Sequence, residues 1–394
     1  MQQDNEQTLS VTFHLTHSCN LRCTYCYTGE KSGKGMTRET ADRAVDFAIE
    51  EARAQGAQHL EVVFFGGEPL MRMELLCYIA DETARRASDL RVSFKLSTNG
   101  LLLTEDKIRE LSARQIYISI SIDGAPEVQD AQRPNLLGEG TSSKLSEVIE
   151  RLLEWNPCTN VTCVVTPWSA GSLDESVMWL FEQGFAYVSP ALDYSAPWTP
   201  ADLARLELSL RRLADWYVEN TLDGMKFYLS CFDERIQTWT KGPLQTRERC
   251  SIGIRQFSIA PSGRLYPCVQ FVRDDADSGM VIGDIHSGFD EEKRMEVNCQ
   301  SEAEKPECDG CTLHSRCSSW CACVNWQSTG HIDRASPLVC QYEQVLMPIA
   351  DDVGKRLWKQ RNPNFVHKHY NPAFPVLSFA EQLMIEEIDH ANQT

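Results

Sequence analysis

The sequence predicts an α/β fold: a partial (β/α)6 TIM-type barrel, then a small loop-rich domain built around cysteines, then a helical C-terminal tail. Three observations carry this. Stretches of strand and helix character alternate about six times between residues 11 and 220 with short connections, which implies parallel strands joined by helical crossovers. Polar, Gly-rich signatures recur at 66–69, 97–100 and 121–124, at the C-terminal strand ends where such folds gather their chemistry. Beyond about 235 the alternation stops and Gly, Pro, Asp and Cys rise, as in a domain that holds its fold with metal rather than a large core. The expected boundaries are 1–235, 236–345 and 346–394.

Each element has a local reason. Residues 11–15 (VTFHL) alternate as a strand. A helix follows from Thr37, which can cap it, with Glu39 in the first turn and Ala41, Ala44, Val45, Ala48, Ile49 and Ala52 as its apolar stripe. VVFF (62–65) reads as a buried strand ending in Gly66-Gly67-Glu68-Pro69, and a helix covers about 72–87. VSFKLS (92–97) ends in Thr98-Asn99-Gly100, and Thr104, with Glu105 and Asp106, opens a helix over 104–114. YISISI (117–122) ends in Asp123-Gly124, helix 144–155 leads to VTCVV (161–165), and helix 173–183 leads to a weaker strand at 186–192. Thr199 as cap and Pro200 at the first helical position open a long helix to about 220. The tail carries two helical patterns around NPNFVHKHYNPAFP; His367, His369 and Tyr370 are candidates to meet substrate, although HKHY more often marks a solvated surface.

The 394 residues, 42% hydrophobic, can bury a real core. A net charge of −18 argues against nucleic acid as the main partner. The start, MQQDNEQTLS, lacks the basic and apolar regions of a signal peptide, and no apolar run approaches the ~18 residues of a membrane span. A soluble, cytoplasmic protein is expected.

Sixteen cysteines in a reducing compartment point to metal or Fe–S ligation rather than disulfides. Three lie at 19–26 and nine between 250 and 340, while Cys77, Cys158, Cys163 and Cys231 stand alone and suit small buried hydrophobes. CNLRCTYCYTG places Cys19, Cys23 and Cys26 on a loop after the first strand. Three thiolates leave one iron of a cubane for an outside ligand; a zinc site completed by a distant group such as His17 is the plainer alternative.

This loop resembles the signature of radical S-adenosylmethionine (SAM) enzymes, with Tyr25 as the aromatic residue before the last cysteine. The resemblance implies that the open iron chelates the methionine part of SAM. Gly66-Gly67-Glu68-Pro69 resembles the family's motif for the SAM amino group, where glycines admit close carbonyls and Glu68 adds an acceptor. Asn99, Ser121 and Asp123 match strand-end positions that contact SAM, and Arg133 a position near its carboxylate; each is equally suited to holding a loop.

The downstream cysteines, Cys250 and Cys268, then Cys308, Cys311, Cys317 and Cys321, then Cys340, resemble spacing for spacing the seven-cysteine pattern of the SPASM extension. A bare C-x2-C would also suit a zinc ribbon. The resemblance implies two auxiliary clusters, hence three [4Fe–4S] clusters in all. Cys308, Cys311, Cys317 and Cys340 would hold the outer auxiliary cluster, and Cys250, Cys268 and Cys321 the inner. The fourth inner ligand stays open between Cys323, Cys299 and none.

The chemistry so implied is reductive cleavage of SAM to a 5′-deoxyadenosyl radical, hydrogen abstraction from substrate, and loss of an electron to an auxiliary cluster. An external one-electron reductant of flavodoxin or ferredoxin type is implied as well. Relatives with this extension mostly modify ribosomal peptides or a protein side chain, so a peptide maturase forming a C–C, C–O or thioether crosslink is expected. A dehydrogenase of a small molecule or side chain, or a non-catalytic Fe–S or zinc scaffold, are the alternatives. Formylglycine-forming relatives carry an acid after the second SPASM cysteine, whereas LYPCVQF has Val269 there, which takes no proton. Ten residues precede the first strand, so no fused peptide-binding domain is expected; a separate recognition protein, or the barrel mouth and tail, would bind the peptide.

Overall fold

The computed structural model describes residues 8–29, 31–243, 250–276 and 279–371. The first half runs β1 (Thr8–His14), α1 (Arg38–Ala54), β2 (His59–Phe65), α2 (Met73–Arg86), β3 (Arg91–Thr98), α3 (Glu105–Ala113), β4 (Ile116–Ser121), α4 (Pro126–Gln132), α5 (Ser142–Trp155), β5 (Asn160–Val165), α6 (Leu173–Glu182), β6 (Tyr187–Leu192), α7 (Pro200–Leu222), β7 (Tyr228–Leu229) and α8 (Ser230–Lys241). It continues β8 (Gln256–Ile259), β9 (Arg264–Tyr266), β10 (Gly283–Asp284), β11 (Gly288–Phe289), α9 (Glu291–Glu302), α10 (Ala322–Thr329), α11 (Pro337–Lys359) and α12 (Pro363–Tyr370).

Strands β1 to β7 lie side by side in sequence order, each parallel to the next. The partial barrel is therefore as expected, with β7 and α4 as short elements that periodicity did not reveal. The helix starts follow their caps: Thr37 accepts from Thr40 N, Thr104 from Lys107 N, and Thr199 with Asp202 forms a capping box before Pro200.

Strand alternation divides the sheet into two faces. Leu9, Val11 and Phe13, Leu60, Val62 and Phe64, and Ile118 and Ile120 are fully buried beneath the helices, each such side chain contributing about 1.5–3 kcal/mol. The opposite face is polar and bonded across strands: Ser10 to Glu61 (3.0 Å), Lys95 to Glu61 (2.5 Å), Asn160 to Ser119 (3.1 Å) and Ser189 to Asn160 (3.0 Å). His14 ends β1 in register with Phe65 on this face.

The region from 236 onward is more regular than its composition suggests. Strand β8 pairs parallel with β1, Val11 opposite Phe257, and β9 to β11 extend the ladder antiparallel. One sheet of eleven strands, β11-β10-β9-β8-β1-β2-β3-β4-β5-β6-β7, thus spans the barrel and the cysteine-bearing region. Helix α11 carries Cys340 and packs on α7 and α8. Among the described residues no helix is long and apolar enough to cross a membrane.

Helix α12 corrects the expectation for HKHY. Lys368 is largely buried, donating to Asp233 (2.7 Å) and Phe227 O (2.6 Å), and His369 is 4% exposed beside Asp233. These side chains fasten α12 to α8 instead of lying in solvent, because they join Tyr217 OH and Leu229 N around the buried Asp233 carboxylate. The tail beyond residue 371 lies outside the described residues.

Candidate functional site

The cysteine loop leaves β1 and is pinned on two sides. On one, Gly67 N donates to Thr16 O (2.7 Å) and Glu68 N to Ser18 O (2.9 Å). The glycines are required by this approach: a Cβ on Gly66 would stand 2.6 Å from Thr16 O, and one on Gly67 2.3 Å from Ser18 O. On the other side Arg22 N donates to Pro134 O and Thr24 N to Gln132 O, both at 2.9 Å.

Glu68 is fully buried and accepts from Leu70 N (3.0 Å), Thr98 Oγ1 (2.8 Å) and Asn99 N (2.8 Å), while Pro69 opens the short turn that follows. Burial raises its pKa against these donors. Its carboxylate thus ties together two strand ends, a role the motif alone did not suggest. Asn99 Nδ2 donates to Asn20 (2.8 Å) and stands 3.9 Å from Cys19 Sγ.

Tyr25, Asp123 and Arg133 form one buried knot. Tyr25 OH donates to Asp123 Oδ2 (2.8 Å) and accepts from Arg133 Nη1 (2.5 Å), and Arg133 stands 3.7 Å from the Asp123 carboxylate. Val164 N and Gln132 Nε2 also donate to Asp123. Arg133 Nε is buried with no partner among the described residues. Ser121 sits half-buried at the end of β4, in register with Thr162.

The three thiols share this mouth. Burial pushes Cys23 up to about 11 against the nearby Arg133 charge, and Cys19 is raised by burial with Glu68 and Cys26 adding. Cys26 differs: burial raises it, but Lys31 Nζ at 2.9 Å and Thr28 Oγ1 at 3.3 Å bring it below the usual thiol range. Arg22, Cys23, Cys26, Gly29 and Lys31 line a cavity of about 470 Å³.

A second set gathers at the start of α10. Cys321 caps this helix, and Cys323 in its first turn lies within hydrogen-bonding reach of both Cys321 and Cys268, with Cys250 close to Cys268 and Cys321. The neighbouring Cys323 thiol draws Cys321 below the usual thiol range, while Cys268 and Cys321, with burial, push Cys323 well above it. A third set joins Cys340 to Cys308 and Cys311, and Cys317 to Cys340; burial, with Glu343 beside it, pushes Cys317 up to about 12. Cys299 is exposed on α9.

Among the described residues no three His, Cys, Asp or Glu side chains form a group spaced to hold one metal ion. Four thiolates on tetrahedral zinc at 2.3 Å stand about 3.8 Å apart, whereas a cubane spreads its ligands one per iron and further apart. Donors directed at sulfur, Lys31 and Thr28 on Cys26 and Leu21 N on Cys19, also fit cluster thiolates.

A polar wall of His14, His17 and Tyr27 lies beside the first set, and of its three side chains only His17 was singled out from the sequence. Tyr27 OH and both ring nitrogens of His14 and of His17 are buried without hydrogen-bond partners among the described residues. The His14 and His17 rings are 4.8 Å apart, and Tyr27 lies near Cys26, Cys268 and Cys323. Burial lowers His14 to about 3, so its ring is neutral. The period-2 pattern of VTFHL, with Thr12 and His14 on one face, was the available signal.

Residues 13–180 match the Radical SAM superfamily. The chain is 24% identical over 319 residues to a cysteine-type anaerobic sulfatase-maturating enzyme of Clostridium perfringens, across 77% of this chain and 85% of that one. It is 26% identical over 341 residues to mycofactocin maturase MftC of Mycobacterium tuberculosis, across 84% and 82%. The fold matches native anSMEcpe with bound AdoMet and Kp18Cys peptide at a TM-score of 0.74 and 22% identity, covering 88% of this chain and 99% of that one. Residues 13–180 are therefore a radical SAM domain.

Proposed function

We propose that this enzyme is a peptide maturase that removes two hydrogens from a ribosomal precursor peptide and forms a C–C, C–O or thioether crosslink. The observation that carries the reading is the second cysteine set: Cys323 joins Cys268 and Cys321 beside the wall that reaches Cys26 through Tyr27. An electron acceptor so close to the SAM end suits an oxidation. Relatives named as maturases across most of the chain, and a fold neighbour with a bound Kp18Cys peptide, support a peptide substrate.

In this assignment Cys19, Cys23 and Cys26 hold the SAM cluster. Cys250, Cys268, Cys321 and Cys323 hold the inner auxiliary cluster, and Cys308, Cys311, Cys317 and Cys340 the outer. Tyr25, Gly66, Gly67, Glu68, Pro69, Asn99, Ser121, Asp123 and Arg133 frame SAM. When bound, SAM and the clusters supply hydrogen-atom abstraction and a sink for the electron left behind. The chain's part is placement: the Tyr25–Asp123–Arg133 knot fixes the loop, and Arg133 Nε remains to receive a carboxylate. Val269 leaves the place after Cys268 without an acid, which weighs against formylglycine formation although sulfatase-maturating relatives match this chain.

Anaerobic reconstitution with SAM and dithionite tests the reading. About twelve irons per chain and 5′-deoxyadenosine are expected, against about four irons if zinc fills the C-terminal cysteines. A candidate precursor peptide should then lose two hydrogens by mass. Absence of 5′-deoxyadenosine removes the enzymatic reading of this mouth, and conversion to formylglycine removes the crosslink.

A further inference from the structure

Lys31 is a part of the mouth that neither the motifs nor the SAM assignment uses. Its ammonium group donates to Cys26 Sγ at 2.9 Å and also meets Thr28 Oγ1, which itself lies 3.3 Å from that sulfur. The other cations near the loop are engaged elsewhere. Arg22 donates to the carbonyls of Cys19 and Leu21, and Arg133 to Tyr25. Cys19 receives neutral donors, Leu21 N at 3.4 Å and Asn99 Nδ2 at 3.9 Å. Among the described residues, one of the three sulfurs therefore receives a full positive charge and the others none at that range.

We propose that Lys31 tunes the SAM cluster, its ammonium on Cys26 Sγ favouring the reduced state and so raising the reduction potential. The inference rests on Cys19, Cys23 and Cys26 holding that cluster. The step is a one-electron gain from an external donor, dithionite in vitro; no bond is made or broken and no proton moves. The extra electron adds negative charge, and a cation hydrogen-bonded to a ligand sulfur stabilises that form more than the oxidised one. Lys31 acts through Cys26 and is a positioning residue.

The test is a potentiometric EPR titration of the reconstituted full chain, following the signal that changes when SAM is added. A hydrogen bond from a charged donor is about twice as strong as one from a neutral donor. Lys31→Met should thus lower the ratio of reduced to oxidised cluster at fixed potential about tenfold, equivalent to about 59 mV for one electron. Lys31→Arg should retain most of the wild-type potential. Arg22→Met, which alters the same cavity without touching sulfur, should leave it in place. If Lys31→Met fails to keep its iron, Lys31→Gln is read in its stead by the same criterion. An unchanged potential, or an equal shift in Arg22→Met, overturns the proposal. No signal responsive to SAM in the wild-type chain overturns the cluster assignment instead.

Discussion

Tyr25 and Tyr27 sit two positions apart and have opposite relations to their hydroxyls. Tyr25 OH is bonded to Asp123 and Arg133, whereas Tyr27 OH is buried without a partner among the described residues. A buried polar group without a partner costs about 1–3 kcal/mol, and a hydrogen bond to a charged group contributes about 1.5–3 kcal/mol. Tyr27→Phe should therefore keep or raise the melting temperature, and Tyr25→Phe should lower it, as calorimetry of the two variants will show. A stable Tyr27→Phe enzyme with slower peptide turnover would identify the hydroxyl as kept for function. Gly67 permits an equally local test: a methyl there meets Ser18 O at 2.3 Å. Gly67→Ala should displace the cysteine loop and cost about four irons per chain, read by iron assay. At this scale the motif residues were legible because short spacings report loops directly. His14 and Lys31 were not, since their significance lies in what surrounds them.

Among the elements, α12 depends on one carboxylate. Burial raises the Asp233 pKa, but Lys368 and His369 outweigh it and hold the group down to about 2. A depressed pKa contributes stability above the unfolded value near 3.8 and loses it as pH falls through the folded one. About 2 kcal/mol should therefore disappear between roughly pH 4 and pH 2. Asp233→Asn should flatten that limb of a pH–denaturation curve; an unchanged limb would place the acid sensitivity elsewhere. Helix starts were readable where a cap preceded an apolar stripe, as at Thr37, Thr104 and Thr199. Strand β8 was not, because four residues show no usable period and its partner β1 lies some 240 positions earlier in the chain. Helix α10 was obscured because Cys321 and Cys323 occupy its start and it has no side-chain cap, whereas Ser336 and Pro337 at the start of α11 were a readable signal that the cysteine spacing overshadowed.

For the molecule as a whole, the cysteine sets can be separated by mutation. Cys323→Ser should alter the inner auxiliary cluster and leave the SAM-responsive EPR signal in place, whereas Cys299→Ser should change neither. If Cys323→Ser also abolishes the SAM-responsive signal while the fold persists, the assigned division of ligands is wrong. The continuous sheet bears on how electrons travel between these sets. Domains joined by an ordinary interface can rock against each other, but β1 is hydrogen-bonded to β2 on one edge and to β8 on the other. Any sliding of the two halves would break that shared ladder. Tunnelling rates fall steeply with distance, so if the proposed clusters occupy these sets, a gap anchored on one strand would keep nearly the same rate from turnover to turnover.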